Sequence, residues 1–332
     1  RMSRSPAPPQ APLEPPQRLA AGSAAPSAAS AWRQRPERSS MWVLRLMTWL
    51  SLRLGRRVSR LILYPIAAYF VLFAPAARRA SRDFLRRALG RPARMGDGFR
   101  HVLAFASVVH DRVYWLRGQH ELFDVRLSGI EHVIGLRQAG RSIVFMGAHF
   151  GSFEALRVLG GRYGLDVRML MYPDNARMVT QTLAAINPEL TESVIALGQP
   201  DALLRVHEHM AAGGCVGFLA DRTLQEGDGK ARLLPFLGDK AAFPQGPLRL
   251  AALLRAPVVF MAGMYLGGNQ YHLAFEPMAD FSHTPAGARA QALDQALQRY
   301  VALLEAHCLQ APWNWFNFYD FWNASSPPLP PG

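Results

Sequence analysis

His149 and Glu154, separated by four residues in the stretch AHFGSFE, are of the types that general base catalysis uses. An imidazole titrates near neutrality, and a carboxylate beside it fixes its tautomer. In such a pair His149 takes a proton from an attacking hydroxyl. A straight helix would hold the two about 140° apart, so their contact requires the chain to bend between them. Gly151 and Ser152 stand where a helix is expected to begin, and backbone N–H groups free at that start would be donors for a thioester oxyanion. The spacing also fits a plain turn histidine followed by an acid in the first turn of a helix.

The surrounding pattern supplies the bend. A β-branched run, Ser142–Met146, stops at Gly147, and helical spacing resumes near Ser152. A second apolar run ends in Asp221 and Arg222 (GFLADR), which predicts both at the same carboxyl edge of a parallel sheet as His149, the edge where ligands gather in such sheets; a surface Asp–Arg pair is the alternative. Leu234–Gly238, Lys240 and Phe243–Gly246 (FPQG, with Pro244 and Gly246) form a turn-rich apolar stretch before a helix whose N-terminus suits an anion or carbonyl, unless they are a loop crossing the core. Strands are predicted at Phe123–Leu127, Ser142–Met146, Asp166–Met171, Cys215–Leu219, Val258–Met264 and Tyr271–Phe275. Helices are predicted at Ile130–Gln138, Ser152–Gly160, Asn175–Ile186, Ala202–Ala212, Gly246–Leu254 and Ala288–His307. This alternation describes an α/β domain with a mixed, mostly parallel sheet flanked by helices. There is no G-x-S-x-G elbow, Walker A loop or G-x-G-x-x-G fingerprint, which disfavours hydrolase and nucleotide chemistry. His207-Glu208-His209 lacks a nearby third ligand, so no metal is expected.

The formal charge of +13 is concentrated at the start of the chain: residues 1–100 carry 19 basic against 4 acidic side chains. Residues 1–40 are Pro- and Ala-rich without apolar periodicity and read as a disordered extension; Met41 opens the first patterned segment, which leaves a start of translation there and a low-complexity tail as two open readings. From Met41 to Arg60 an amphipathic helix gathers Arg45, Arg53, Arg56, Arg57 and Arg60 within an arc of roughly 120°, with Trp42 and Trp49 on that side. It runs into Leu61–Ala77, 17 residues without a charge. As helix that is about 26 Å, slightly short of a ~30 Å hydrocarbon core. Residues 41–95 therefore read as a membrane-anchoring segment that either spans or lies in the interface, with a buried helical hairpin as the alternative. No nucleic-acid motif accompanies the charge. The α/β domain is expected over 96–325, with a disordered tail at 326–332. Cys215 and Cys308 sit in apolar stretches, which suits a reducing compartment.

From about Arg56 to His307 the ordered blocks RASRDFLRRAL, AHFGSFE, MYPDN, LADR and LPFLGDKAAFPQGPLRLAALLRAPVV resemble the bacterial lauroyl/myristoyl acyltransferases of lipid A biosynthesis, within the wider lysophospholipid acyltransferase superfamily. The resemblance implies a glycerolipid-acyltransferase-like fold on an N-terminal membrane helix. It implies an enzyme of the inner membrane, working at its cytoplasmic face, with acyl carrier protein or coenzyme A carrying the thioester and no cofactor. His149 becomes the general base and Glu154 its partner. Asp221, Arg222 and, less directly, Arg177 fall where acceptor contacts are made. Phe236, Gly238, Lys240, Pro244 and Gly246 fall where the acyl group is received. The chain departs from the family in PWNWFNFYDFW, where Asn314, Asn317 and Asp320 stand in a segment that is arginine-rich in the lipid A enzymes. Similar aromatic endings occur in relatives associated with aryl polyene lipids, so either acceptor fits. The segment itself is expected to contact substrate, cap the core or rest on lipid. A lysophospholipid acyltransferase, which usually presents Asp after the histidine, and a non-catalytic lipid-binding relative are the rival readings.

Overall fold

The computed structural model describes residues 41–173, 193–222 and 231–322, together with Thr180, Leu183, Ile186 and Asn187. Most of the helix expected at Asn175–Ile186, including Arg177, and both expected disordered ends lie outside these residues. In chain order the elements are α1 (Met41–Ser59), α2 (Leu63–Phe73), α3 (Pro75–Leu89), α4 (Met95–Leu116), β1 (Asp124–Ser128), α5 (Ile130–Gln138), β2 (Val144–Gly147), α6 (Phe153–Arg162), β3 (Val167–Met171) and β4 (Val194–Ala196). They continue with α7 (Ala202–Ala211), β5 (Cys215–Leu219), β6 (Ala231–Phe236), β7 (Asp239–Pro244), α8 (Gly246–Leu253), β8 (Pro257–Gly267), β9 (Gln270–Asp280) and α9 (Arg289–Gln310).

Seven strands form one sheet in the order β1-β9-β8-β2-β5-β3-β4. All pairings are parallel except β8 with β9. The central strands are apolar on both faces because helices cover both. Along β8, Val258, Phe260, Ala262 and Met264 join the core layer under α7, α8 and α9, whereas Val259, Met261 and Tyr265 join the layer under α4, α5 and α6. Each strand thus sorts its side chains between two cores by simple alternation. The helix α9 repeats the logic at helical spacing, burying Leu297, Tyr300, Val301, Leu304 and Cys308.

Three expectations change. First, the uncharged run 61–77 is no single helix: α2 ends at Phe73, Ala74 is non-helical, and Pro75, which has no N–H to continue the helix, opens α3. Among the described residues no single helix is long and apolar enough to cross a membrane; the segments Thr48–Phe73 and Pro75–Leu89 pass that test only as a pair bent by 95°. Second, the 22-residue α4 falls where no separate helix was predicted. The inner face of α4 carries His101, Ser107, His110 and Asp111, all buried, so its apolar periodicity is interrupted where it matters. Third, the turn-rich stretch after residue 231 is a hairpin, β6 and β7, closed by Leu237 (φ 51°) and Gly238 (φ 82°). Two positive-φ residues make the turn that a two-residue hairpin favours, but Pro235 within the strand and a leucine in the turn conceal it.

The basic face of α1 is also divided. Arg56 forms a two-pronged pair with Asp111 at 2.8 and 2.7 Å and donates to the Gly268 carbonyl. Arg60 donates to the Tyr265 hydroxyl at 2.7 Å and to the same carbonyl. Tyr271 adds a third donor to Asp111, whose carboxyl stays below its ordinary pKa against the opposing effect of burial. These two arginines therefore fasten α1 to the β8–β9 end of the sheet rather than meeting solvent.

Candidate active site

β2 and β5 are parallel neighbours with Gly147 beside Leu219. Two residues beyond each strand end, at the carboxyl edge, stand His149 and Asp221. Their side chains meet: His149 Nδ1 lies 2.7 Å from Asp221 Oδ1, and the His149 backbone N–H donates to the same oxygen at 3.1 Å. Because a carboxylate only accepts, the proton is on Nδ1 and Nε2 presents its lone pair. The imidazole is 28% exposed and Asp221 is fully covered, so the base faces outward from a buried support. Nε2 has no hydrogen-bond partner among the described residues.

The carboxylate that meets His149 is therefore Asp221, and the contact expected with Glu154 is not made. Glu154, in the first turn of α6, pairs at 2.6 Å with Arg112 of α4. The loop between β2 and α6 is pinned before the helix begins, by bridges from Phe150 to Trp315 and from Gly151 to Gly263, which separates the two side chains. Those same bridges correct the oxyanion expectation. The Gly151 N–H donates to Asn314 O at 2.8 Å and the Ser152 N–H to Gly263 O at 2.7 Å, so neither is free. Ser152 serves instead as the N-cap of α6, its hydroxyl accepting from the Ala155 N–H. Gly151 has φ +62°, and a Cβ there would sit 1.8 Å from Gly263 O, so only glycine permits this approach.

Asp221 is charged despite complete burial. Burial opposes ionisation, but His149, Arg222 and Asn317 together hold the carboxyl far below its ordinary value. Trp315 Nε1 and Asn317 Nδ2 donate to its second oxygen at 3.0 and 2.8 Å. The His149 pKa is lowered, first by burial and then by the Arg222 charge, with Asp221 pulling the other way. Neutral imidazole is thus the form present at pH 7, as a general base requires. Arg222 donates from Nε to Asn317 Oδ1 at 2.8 Å and from a terminal nitrogen to Phe316 O at 3.2 Å.

The remaining expected residues fall around this centre in different ways. Phe236 is fully buried among Phe243, Trp315, Phe321 and Trp322. Gly238 is the hairpin turn, Lys240 is exposed on β7, Pro244 ends that strand and Gly246 opens α8. None of these makes a hydrogen bond to His149 or Asp221. Arg177 lies outside the described residues. No group of three or more His, Cys, Asp or Glu that could hold a metal occurs among the described residues.

Of the three roles expected of the terminal segment, residues 314–317 have a structural one, whose individual hydrogen bonds sequence reasoning did not supply. Asn314 clamps the end of β8, accepting from Tyr265 N at 2.7 Å and donating to Tyr265 O at 3.0 Å. Phe316 N donates to His149 O at 2.7 Å. Trp315 O accepts from His101 Nε2 at 2.9 Å, and His101 Nδ1 accepts from the Ser81 hydroxyl at 2.8 Å. The alternation of amides and aromatics was the available signal: amides inside an apolar strip need buried partners.

This is an α/β protein with an outward-facing base at the carboxyl edge of two parallel strands. Among the described residues His149 Nδ1 pairs with Asp221, and no Ser, Thr or Cys side chain is hydrogen-bonded to the imidazole. The chain belongs to the bacterial lipid A biosynthesis acyltransferase family, whose profile matches residues 31–323, and it is accordingly an acyltransferase. No curated protein matches it significantly.

Proposed function

We propose that this acyltransferase moves a fatty acyl group from an acyl carrier protein thioester to a hydroxyl of a glycolipid or related lipid, at the cytoplasmic face of the inner membrane. The observation that carries the reading is His149, its Nδ1–H held by Asp221 and its Nε2 open at the sheet edge. The acceptor hydroxyl loses its proton to Nε2 while its oxygen attacks the thioester carbon. The C–S bond then breaks, and the proton passes to the departing thiolate, so no covalent enzyme intermediate is required. Arg222, near enough to depress the His149 pKa, is the charge best placed to meet an acceptor phosphate or a developing oxyanion. Glu154, bound to Arg112, supports α6 beneath the loop and is the rival carboxylate for the catalytic pair.

The membrane part of the reading rests on α2. Leu63, Ala67 and Val71 face the protein, while Leu61, Tyr64, Tyr69, Phe70, Leu72 and Phe73 are exposed, and Arg53, Arg57, Arg79 and Arg82 are exposed beside them. An apolar surface with an arginine border suits an anionic bilayer.

His149→Ala is the direct test. With acyl carrier protein thioester and lipid acceptor supplied, transfer falls by ~10² or more while the unfolding midpoint holds; a variant as active as the parent ends the proposal. Mass spectrometry of lipids from cells with and without the protein then names the acceptor through the acyl chain that disappears.

A further inference from the structure

The catalytic reading leaves unexplained why a buried carboxylate should be gripped by an indole and an amide from the far end of the chain. Asp221 Oδ1 serves His149, whereas Oδ2 is given wholly to Trp315 Nε1 and Asn317 Nδ2. Asn317 makes a second contact with its other atom, accepting from Arg222 Nε. The amide donates to the carboxylate with one end and accepts from the guanidinium with the other, so its orientation is fixed by its neighbours. It therefore stands between the two charges nearest the base, and keeps Arg222 from closing directly on Asp221 through Nε.

The segment that supplies these groups is itself held rigidly. The Trp315 ring packs edge-on against Phe84 and Phe321, and its carbonyl is held by His101. Arg100 of α4 lies over Trp313 at 3.7 Å, and Arg87 of α3 over Trp322 at 4.2 Å. Helices α3 and α4 thus set the segment, and the segment sets the carboxylate.

We infer that Trp315 and Asn317 are positioning residues for the acyl transfer reaction, acting through Asp221 to set the orientation and basicity of His149. The inference rests on the assignment of His149 as the base. Donors on Oδ2 draw charge away from Oδ1, which weakens the hold of Asp221 on the imidazole proton and keeps the base neutral. The other groups facing the pair do not compete: Tyr300, Cys308 and Tyr319 have pKa values raised by burial and stay neutral, and among the described residues Arg222 is the side-chain cation, besides the imidazole itself, that perturbs either partner.

The test reads His149 itself by NMR of the full chain carrying 13Cε1-labelled histidine, with His149→Ala supplying the assignment. Asn317→Asp, which sets a second carboxylate beside Asp221, raises the His149 pKa by about one unit. Trp315→Phe, which keeps an aromatic ring but deletes the donor, raises it by less. In both variants the acid limb of kcat/KM moves to higher pH in step, and kcat falls more than KM rises. The parent protein gives a reading that needs no variant: one of its 7 tryptophan indole N–H signals shifts with pH at the His149 midpoint. No such indole signal, or an unmoved His149 titration in a folded variant, overturns the inference. If the titrations shift but the parent transfers no acyl group from any thioester offered, the catalytic reading fails while the coupling stands; transfer with unmoved titrations removes the coupling alone.

Discussion

A base is useful only in its unprotonated form, and the surroundings of His149 favour that form by two routes. Burial and the Arg222 charge both disfavour imidazolium, and Asp221 limits rather than reverses their effect. The sign for activity follows directly. A lowered pKa keeps Nε2 free until the pH drops below the ordinary histidine value near 6.5, so kcat/KM is flat through neutrality and declines only on the acid side of ~6.5. A pH–rate profile whose acid limb lies above that value contradicts the assignment. The two candidate carboxylates also separate by experiment. Asp221→Asn removes the charge that fixes the tautomer and is expected to cost ~10² or more in kcat. Glu154→Gln, altering a partly exposed ion pair with Arg112, is expected to stay within about tenfold of the parent. Equal losses from the two substitutions, measured on folded protein, would return Glu154 to the catalytic pair.

At the scale of elements, the site is assembled where a strand pair, a hairpin of helices and the end of the chain converge. His101 is the joint between α3, α4 and the terminal segment, wholly buried and bonded on both nitrogens. Burial pushes its pKa down to about 4, against 6.5 for the free side chain. The unfolded chain therefore binds the proton more readily, so the stability associated with His101 is complete above pH ~6.5 and is lost as pH falls from there towards ~4, amounting to about 2 kcal/mol between pH 7 and 5. Urea unfolding at those two pH values should show that difference in the parent and a smaller one in His101→Gln; identical pH dependence would rule the joint out as the cause. Such joints explain what could be read from sequence and what could not. The strands β2, β5 and β8 carry uninterrupted apolar runs, and their carboxyl ends announced His149, Asp221 and Arg222. The partner of His149 was misplaced because five positions of separation along the chain look closer than 72, whereas parallel pairing of β2 with β5 makes the longer separation the shorter distance. In the same way, the terminal segment read equally as substrate contact, core cap or lipid seat, and only the fold shows Asn314 and Asn317 engaged inside the protein. Amide side chains show their partners only when the fold is known.

For the whole molecule the question is how a catalytic edge meets an acceptor that resides in lipid. The uncharged part of the helical segment Thr48–Phe73, residues 61–73, extends about 20 Å, and the turns before it carry Arg53, Arg56, Arg57 and Arg60. The chain then turns through 95° into α3, which carries Arg78, Arg79, Arg82, Arg86 and Arg87 and is unsuited to hydrocarbon. On the proposed membrane reading, a seat within one leaflet, with α2 sunk along its exposed side and the arginines at headgroup level, accommodates both helices. Its two components have different signatures. The arginine contribution is screened as the Debye length falls from ~10 Å at 0.1 M salt to ~3 Å at 1 M, whereas apolar insertion is not. Binding to vesicles containing anionic phospholipid should therefore weaken in high salt without vanishing. Phe70 and Phe73 are 50% and 69% exposed, so replacing both with Asp costs the fold little. The same change removes roughly 3 kcal/mol or more of insertion and adds two repelled charges, which lowers vesicle partitioning by ~10² or more. The double variant should keep its unfolding midpoint, and co-sedimentation equal to that of the parent would refute the seat.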